Sequence, residues 1–162
     1  MNAVERLEAI EEIKQLKARY FRCMDTKDWE GFRSVFAPDA RMDVTGEFSD
    51  DAADGRGVTT GNREIAAFVR ASIDEVTTAH HGHTPDIDVT SPTSATGIWA
   101  MEDHLRWPEG SPISRMHGYG HYHETYEKID GRWLITSTTL ACAPTCRRGS
   151  RMQAVGLARD DV

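Results

Sequence analysis

Cysteine is scarce in this chain, and long apolar runs and an excess of positive charge are missing altogether. The three cysteines, Cys23, Cys142 and Cys146, are odd in number and unevenly spaced, which excludes a disulfide framework and fits reduced thiols. No stretch approaches the roughly 20 apolar residues that a membrane-spanning helix needs. The opening run Met1-Asn2-Ala3-Val4-Glu5-Arg6 lacks the apolar segment of a signal peptide. The expected location is therefore the cytoplasm, with no membrane partner. With 19 Lys and Arg against 26 Asp and Glu the net charge is -7. No basic stripe offers the footprint that nucleic-acid phosphates require, so nucleic acid is not an expected partner.

Internal repeats and low-complexity runs are also absent. At 162 residues the chain fits one domain, large enough to bury roughly 70% of the surface its unfolded form exposes and so to enclose a pocket. That domain is expected over residues 1–142, with 143–162 as a loosely attached tail. There, Pro144-Thr145-Cys146-Arg147-Arg148-Gly149 breaks all periodicity.

From Val4 to Met24, Leu7, Ile10, Ile13, Leu16, Tyr20 and Met24 recur at steps of three and four, one stripe of an amphipathic helix. A short second helix should open near Asp28, bury Trp29, Phe32, Val35 and Phe36, and stop at Pro38. Residues 40–44 read as a short strand and 46–61 as an exposed loop suited to a mobile lid. Asn62 then caps a third helix reaching Val76, with Ile65, Phe68, Val69 and Ile73 at helical spacing.

Strands follow over roughly 79–90, 94–107, 115–129 and 132–142. Asp130-Gly131 is a two-residue hairpin turn in which both positions need positive φ. Three helices followed by a strand meander imply an α+β fold whose curved antiparallel or mixed sheet is closed by the N-terminal helices. A ligand cavity belongs between them, with Phe68, His83, Trp99, Met101 and Tyr122 as candidate lining residues.

Alternation along 97–107 puts Trp99, Met101, Leu105 and Trp107 on one strand face, and Asp103 falls among them. A carboxylate on an apolar face is costly without partners, and its pKa should rise. Upstream, His80, His81 and His83 supply possible partners. Asp25, at the end of the first helix, meets the negative end of the helix dipole and needs a donor or cation nearby to stay ionised. Tyr20, Asp25, one of the three histidines and Asp103 therefore suit an acid-base set. Each also has a plain structural reading: Tyr20 as core, Asp25 as a turn residue, the histidines as sheet edge, and Asp103 paired to Arg115. The pairs His81/His83 and His121/His123 share strand faces and can be read as zinc or iron ligands. No spacing matches an established motif, and no metal is expected.

The segments Leu16 to Asp25, Asp28-Trp29, His80 to Ile87, Ala95 to Trp99, Glu102-Asp103 and Tyr126 to Trp133 resemble the SnoaL-like group of the nuclear transport factor 2-like superfamily. Within it, the same segments resemble the bile acid 7-alpha-dehydratases. The resemblance implies a cone-shaped α+β barrel with a deep pocket, a homo-oligomer (dimer or trimer), and catalysis without metal or organic cofactor. It also implies catalytic roles for Tyr20, Asp25, His80 and Asp103, so it selects His80 where spacing left three histidines open. Hexachlorocyclohexane dehydrochlorinase, a more distant relative in the group, likewise pairs an aspartate with a histidine. The expected function is a dehydratase-type lyase on a hydrophobic, cyclic or steroid-like hydroxy carbonyl substrate. A non-catalytic binding or dimerisation module, an isomerase and a polyketide cyclase are the alternatives. One departure stands out: an arginine of the dehydratases falls on Cys142.

Overall fold

A computed structural model describes residues 1–45 and 57–142 of the chain. The expected lid over 46–61 falls largely on 46–56, and the expected tail 143–162 falls entirely outside the described residues, as does the side chain of Cys142. Three helices, α1 (Ala3–Asp25), α2 (Trp29–Arg33) and α3 (Asn62–Ile73), accompany seven strands. These are β1 (Phe36–Asp43), β2 (Val58–Thr60), β3 (Thr77–Gly82), β4 (Asp86–Ser91), β5 (Ser94–Arg106), β6 (Arg115–Ile129) and β7 (Arg132–Cys142). The strands form one curved, unclosed mixed sheet in the order β2-β1-β7-β6-β5-β3, with β4 also on β5, and the helices pack against it. Among the described residues no helix is long and apolar enough to cross a membrane.

Local chemistry explains where the elements start and stop. Asn2 caps α1 by accepting from the backbone N–H groups of Val4 and Glu5, and Glu5 returns a bond to Asn2, completing a capping box. Lys27, at φ 60°, turns the chain out of the helix, and Asp28 caps α2 through the Gly31 N–H. Asp130 (φ 50°) and Gly131 (φ 78°) form the expected turn between β6 and β7.

Several boundaries depart from the sequence reading: α3 stops at Ile73 and not at Val76, and 58–60 of the expected loop pair with β1 as β2. Val35 and Phe36 leave the helix, because Pro38 lies inside β1 at the point where its pairing with β7 shifts register. A proline has no N–H for the ladder and is accommodated at such irregularities. Gly61 (φ 96°), not Asn62, is the N-cap of α3. The expected strand over 79–90 is two strands, β3 and β4, laid end to end along β5 and separated by His83-Thr84-Pro85. Finally, β1 runs parallel to β7, closing the meander with a long-range pairing that hairpin signals cannot show.

The concave face holds the core. On α1, Ile13, Leu16 and Tyr20 are buried, and so is Lys17, at 0% exposure. The Lys17 ammonium donates to Glu124 Oε1 at 2.6 Å and lies 3.8 Å from the ring centre of Tyr122 and 4.0 Å from that of Tyr20. Glu124 also accepts from the hydroxyls of Tyr126, at 2.5 Å, and Thr138, at 3.0 Å. Tyr126 in turn accepts from Trp99 Nε1 at 2.8 Å. One polar chain thus ties α1 to β5, β6 and β7. Burial pulls the Lys17 pKa below the usual lysine value, against the opposing pull of Glu124 and Asp103.

Breaking a buried pair leaves an uncompensated charge. Lys17→Met alone should therefore cost about 3–5 kcal/mol in denaturant unfolding, and adding Glu124→Gln should recover most of it. A single variant as stable as wild type would show that the pair does not hold α1 in place.

Candidate active site

Three elements bring the acid-base candidates Asp25, His80 and Asp103 to one place. Asp25 is the last residue of α1, His80 lies on β3, and Asp103 is its cross-strand partner on β5, where directly opposed side chains are about 5 Å apart. His80 Nδ1 lies 2.6 Å from Asp25 Oδ1, and the His80 backbone N–H donates to Asp25 Oδ2 at 3.0 Å. The Thr78 hydroxyl donates to Asp25 Oδ1 at 2.8 Å, and Lys27 Nζ donates to that hydroxyl at 3.2 Å. The His80 side chain is only 7% exposed.

These donors answer the question posed by the helix dipole. Burial pushes the Asp25 carboxyl up, but the bonds from His80 and Thr78 outweigh it and hold the pKa below the usual aspartate value. An ionised carboxylate only accepts, so His80 Nδ1 is the donor and Nε2 carries the lone pair. Asp25 therefore sets the tautomer that a general base requires.

Asp103 has the opposite character. It is 7% exposed, and its Oδ1 has no hydrogen-bond partner among the described residues. Burial pushes its carboxyl up to about 6, while the charges of His80 and Lys17 draw it down and Asp25 adds to the rise. Across the sheet Asp103 faces Gly118, where an added Cβ would meet nothing within 4 Å. Open space therefore adjoins the side chain whose Oδ1 has no partner among the described residues. A cleft of about 340 Å³ lies farther along the same strands, at the sheet edge: its walls are 77–79 of β3, 104–106 of β5 and 115–117 of β6, and neither His80 nor Asp103 lines it.

The other expected residues divide. Trp99, Met101 and Tyr122 are buried on the same sheet face as Asp103. Tyr20 is buried in an aromatic cluster with Phe21, Phe32, Phe36 and Tyr122. Phe68 packs half-buried against the core from α3. His83 does not join them: it sits in the turn between β3 and β4, its side chain 57% exposed and 3.6 Å from Glu102. His80 and Gly82 alternate onto the inward face, where a Cβ on Gly82 would meet Phe21 and Trp99, so the same alternation turns His83, three residues beyond His80, outward. The proposed Asp103–Arg115 pairing does not form either. Arg115, the first residue of β6, lies opposite Arg106, three positions along the strand from Gly118, the cross-strand partner of Asp103.

Lys17, Thr78 and Glu124 were not anticipated. Glu124 was readable, since Tyr122, Glu124 and Tyr126 alternate onto the buried face of β6. Lys17 is a charged residue that the apolar stripe omits, although it lies between Ile13 and Tyr20 on the same helix face.

The pKa of Asp103 makes a stability prediction. Between the ordinary aspartate pKa and about 6 the folded state binds a proton that the unfolded state has lost, so stability falls as pH rises through this window. At pH 7.5 the ionised carboxylate costs about 3 kcal/mol, in order of magnitude. Asp103→Asn should unfold at higher denaturant concentration than wild type at pH 7.5, with the gain shrinking below pH about 6 and gone near pH about 4. No gain at pH 7.5 would show that the carboxylate is not strained by burial.

Comparison with known proteins agrees with this architecture. The model of the SnoaL-like domain matches residues 5–139. A protein of Gibberella zeae named "Probable cyclase FGR4" is 28% identical over 138 residues, covering 80% of this chain and 88% of its own length. Among solved structures, a Novosphingobium aromaticivorans protein proposed to be a scytalone dehydratase superposes with a TM-score of 0.76 at 19% identity, over 97% of this chain and 99% of that one. The hexachlorocyclohexane dehydrochlorinase LinA-type3 of Novosphingobium barchaimii gives a TM-score of 0.72 at 18% identity, over 87% and 90%. At those identities the structures speak for the fold, while the domain match spans most of the chain, and this protein belongs to the SnoaL-like family.

Proposed function

We propose that the protein is a cofactor-independent lyase, a dehydratase acting on a hydrophobic, cyclic or steroid-like hydroxy carbonyl compound. The observation that carries this reading is the 2.6 Å contact between His80 Nδ1 and Asp25 Oδ1, beside a buried Asp103 whose Oδ1 has no partner among the described residues. The two carboxylates have environments that push their pKa values apart, the pattern that separates acid from base at one site.

In the proposed reaction His80 Nε2 takes the proton from the carbon next to the substrate carbonyl, and Asp25 stabilises the imidazolium that forms. The C–H electrons become the carbonyl-stabilised enolate, with the Tyr20 hydroxyl as donor to its oxygen. Collapse of the enolate forms the C=C bond and breaks the C–O bond. Asp103, protonated in part near its pKa of about 6, gives its proton to the departing hydroxyl, which leaves as water. Trp99, Met101 and Tyr122 supply an apolar wall for the substrate's ring system. The steroid-like class rests on the resemblance of the run from His80 to Asp103 to the bile acid 7-alpha-dehydratases. Because Cys142 stands where those enzymes have an arginine, the proposal stops at the class.

Ring closure is the second reading, favoured by the cyclase name of the Gibberella zeae relative. It shares the first proton transfer but forms a C–C bond instead of expelling hydroxide. Screening hydroxysteroid thioesters and other cyclic β-hydroxy carbonyl compounds by mass spectrometry separates the two, since only dehydration loses water from a single ring compound. On a turned-over substrate, His80→Ala should lower kcat by about 10²–10⁴-fold with the fold intact by circular dichroism. Full turnover by that variant would overturn the mechanism.

A further inference from the structure

Six of the seven histidines, all except His80, are exposed, and they cluster on or beside the strand faces opposite the proposed active site. Three of their neighbours form a compact donor set. Glu102 and His104 are two residues apart on β5 and so share its outer face, and His117 on β6 is the direct cross-strand partner of His104. Glu102 Oε1 lies 2.7 Å from His117 Nε2 and 3.1 Å from His104 Nε2, so both imidazoles aim the same ring nitrogen at one point. The other oxygen, Oε2, lies 3.6 Å from His83 Nε2. The rings of His104 and His117 stack with centres 4.2 Å apart and planes 19° from parallel.

We propose that Glu102, His104 and His117, with His83 or water as a fourth ligand, form a binding site for a zinc-class divalent cation on the outer face of the sheet. The chemistry of the donors selects the ion. Two imidazoles and a carboxylate suit zinc and its first-row neighbours, whereas magnesium and calcium take oxygen ligands. The geometry needs little change. A tetrahedral zinc ion with ligand bonds of about 2.0–2.2 Å holds its donors about 3.4 Å apart. All three donor atoms already lie within 4.8 Å of one another. To bind, each ring presents an unprotonated Nε2 to the cation and carries its hydrogen on Nδ1, any proton in excess of that passing to solvent. The strand pairing of β5 with β6 pre-positions three of the ligands, which lowers the ordering cost of binding. This set differs from the pairs His81/His83 and His121/His123 that strand alternation alone suggests. Cross-strand register brings His117 to His104, while His121 lies opposite Ala100 and His123 opposite Ile98. The site lies on the face opposite His80 and does not depend on the proposed elimination.

The test is isothermal titration calorimetry of the untagged, full-length, reduced protein, first dialysed against chelator, with zinc chloride. One ion should bind per chain at micromolar or tighter affinity, and magnesium chloride should give no binding heat. His117→Gln and His104→Gln should each weaken zinc binding by more than about tenfold, while His121→Gln/His123→Gln should leave it unchanged. Millimolar or weaker binding of zinc would overturn the site, as would affinity unaffected by His117→Gln or lost in His80→Gln.

Discussion

A lysine ammonium buried against a glutamate is the constraint on which the rest of this structure depends. Lys17 has no exposure, so its charge must be met inside the protein, and Glu124 and three aromatic rings meet it. Satisfying Glu124 recruits Tyr126 and Thr138, and satisfying Tyr126 recruits Trp99. The angle at which α1 lies across the sheet follows from these bonds. Hydrophobic contact alone tolerates sliding, whereas a buried ion pair allows one register.

That register sets the site. With α1 pinned at Lys17, its last residue, Asp25, arrives beside the β3 backbone and can accept from both the N–H and the ring of His80. The same lysine contributes to the field that draws down the Asp103 pKa, against burial that drives it up. Two aspartates on neighbouring elements thereby acquire opposite character, one kept ionised by donors and one strained by its apolar setting. A carboxylate held in that state weakens the fold at neutral pH, and such local strain is characteristic of functional sites.

Much of this was legible in the sequence because it is local. The stripe of α1, the Asp130-Gly131 turn and the alternation of β5 each depend on spacing within a few residues, and they placed Asp103 inward directly. Asp25 at the end of a helix was recognisable as a carboxylate in need of donors, though not which donors. What was hidden depends on pairing between distant segments. The parallel contact of β1 with β7, the end-to-end placement of β3 and β4, and the meeting of Lys17 with Glu124 across 107 residues have no local signature. The pattern Phe32, Val35, Phe36 reads as helix until Pro38 is placed in a strand at a register shift. His83, a candidate for the pocket lining, sits three residues from His80, so strand alternation sends it to the surface instead. The metal-like cluster of Glu102, His104 and His117 was missed for the same reason, since two of its members meet only through strand register.

The central claim is that Asp25 fixes His80 with its Nδ1 protonated and its Nε2 free as the base. Nitrogen-15 NMR of the His80 ring in the wild-type protein, at a pH where the imidazole is neutral, tests it most directly. The account predicts a protonated-type shift for Nδ1 and an unprotonated-type shift for Nε2, with the two exchanging freely in Asp25→Asn. A ring protonated on Nε2 in the wild type would contradict it.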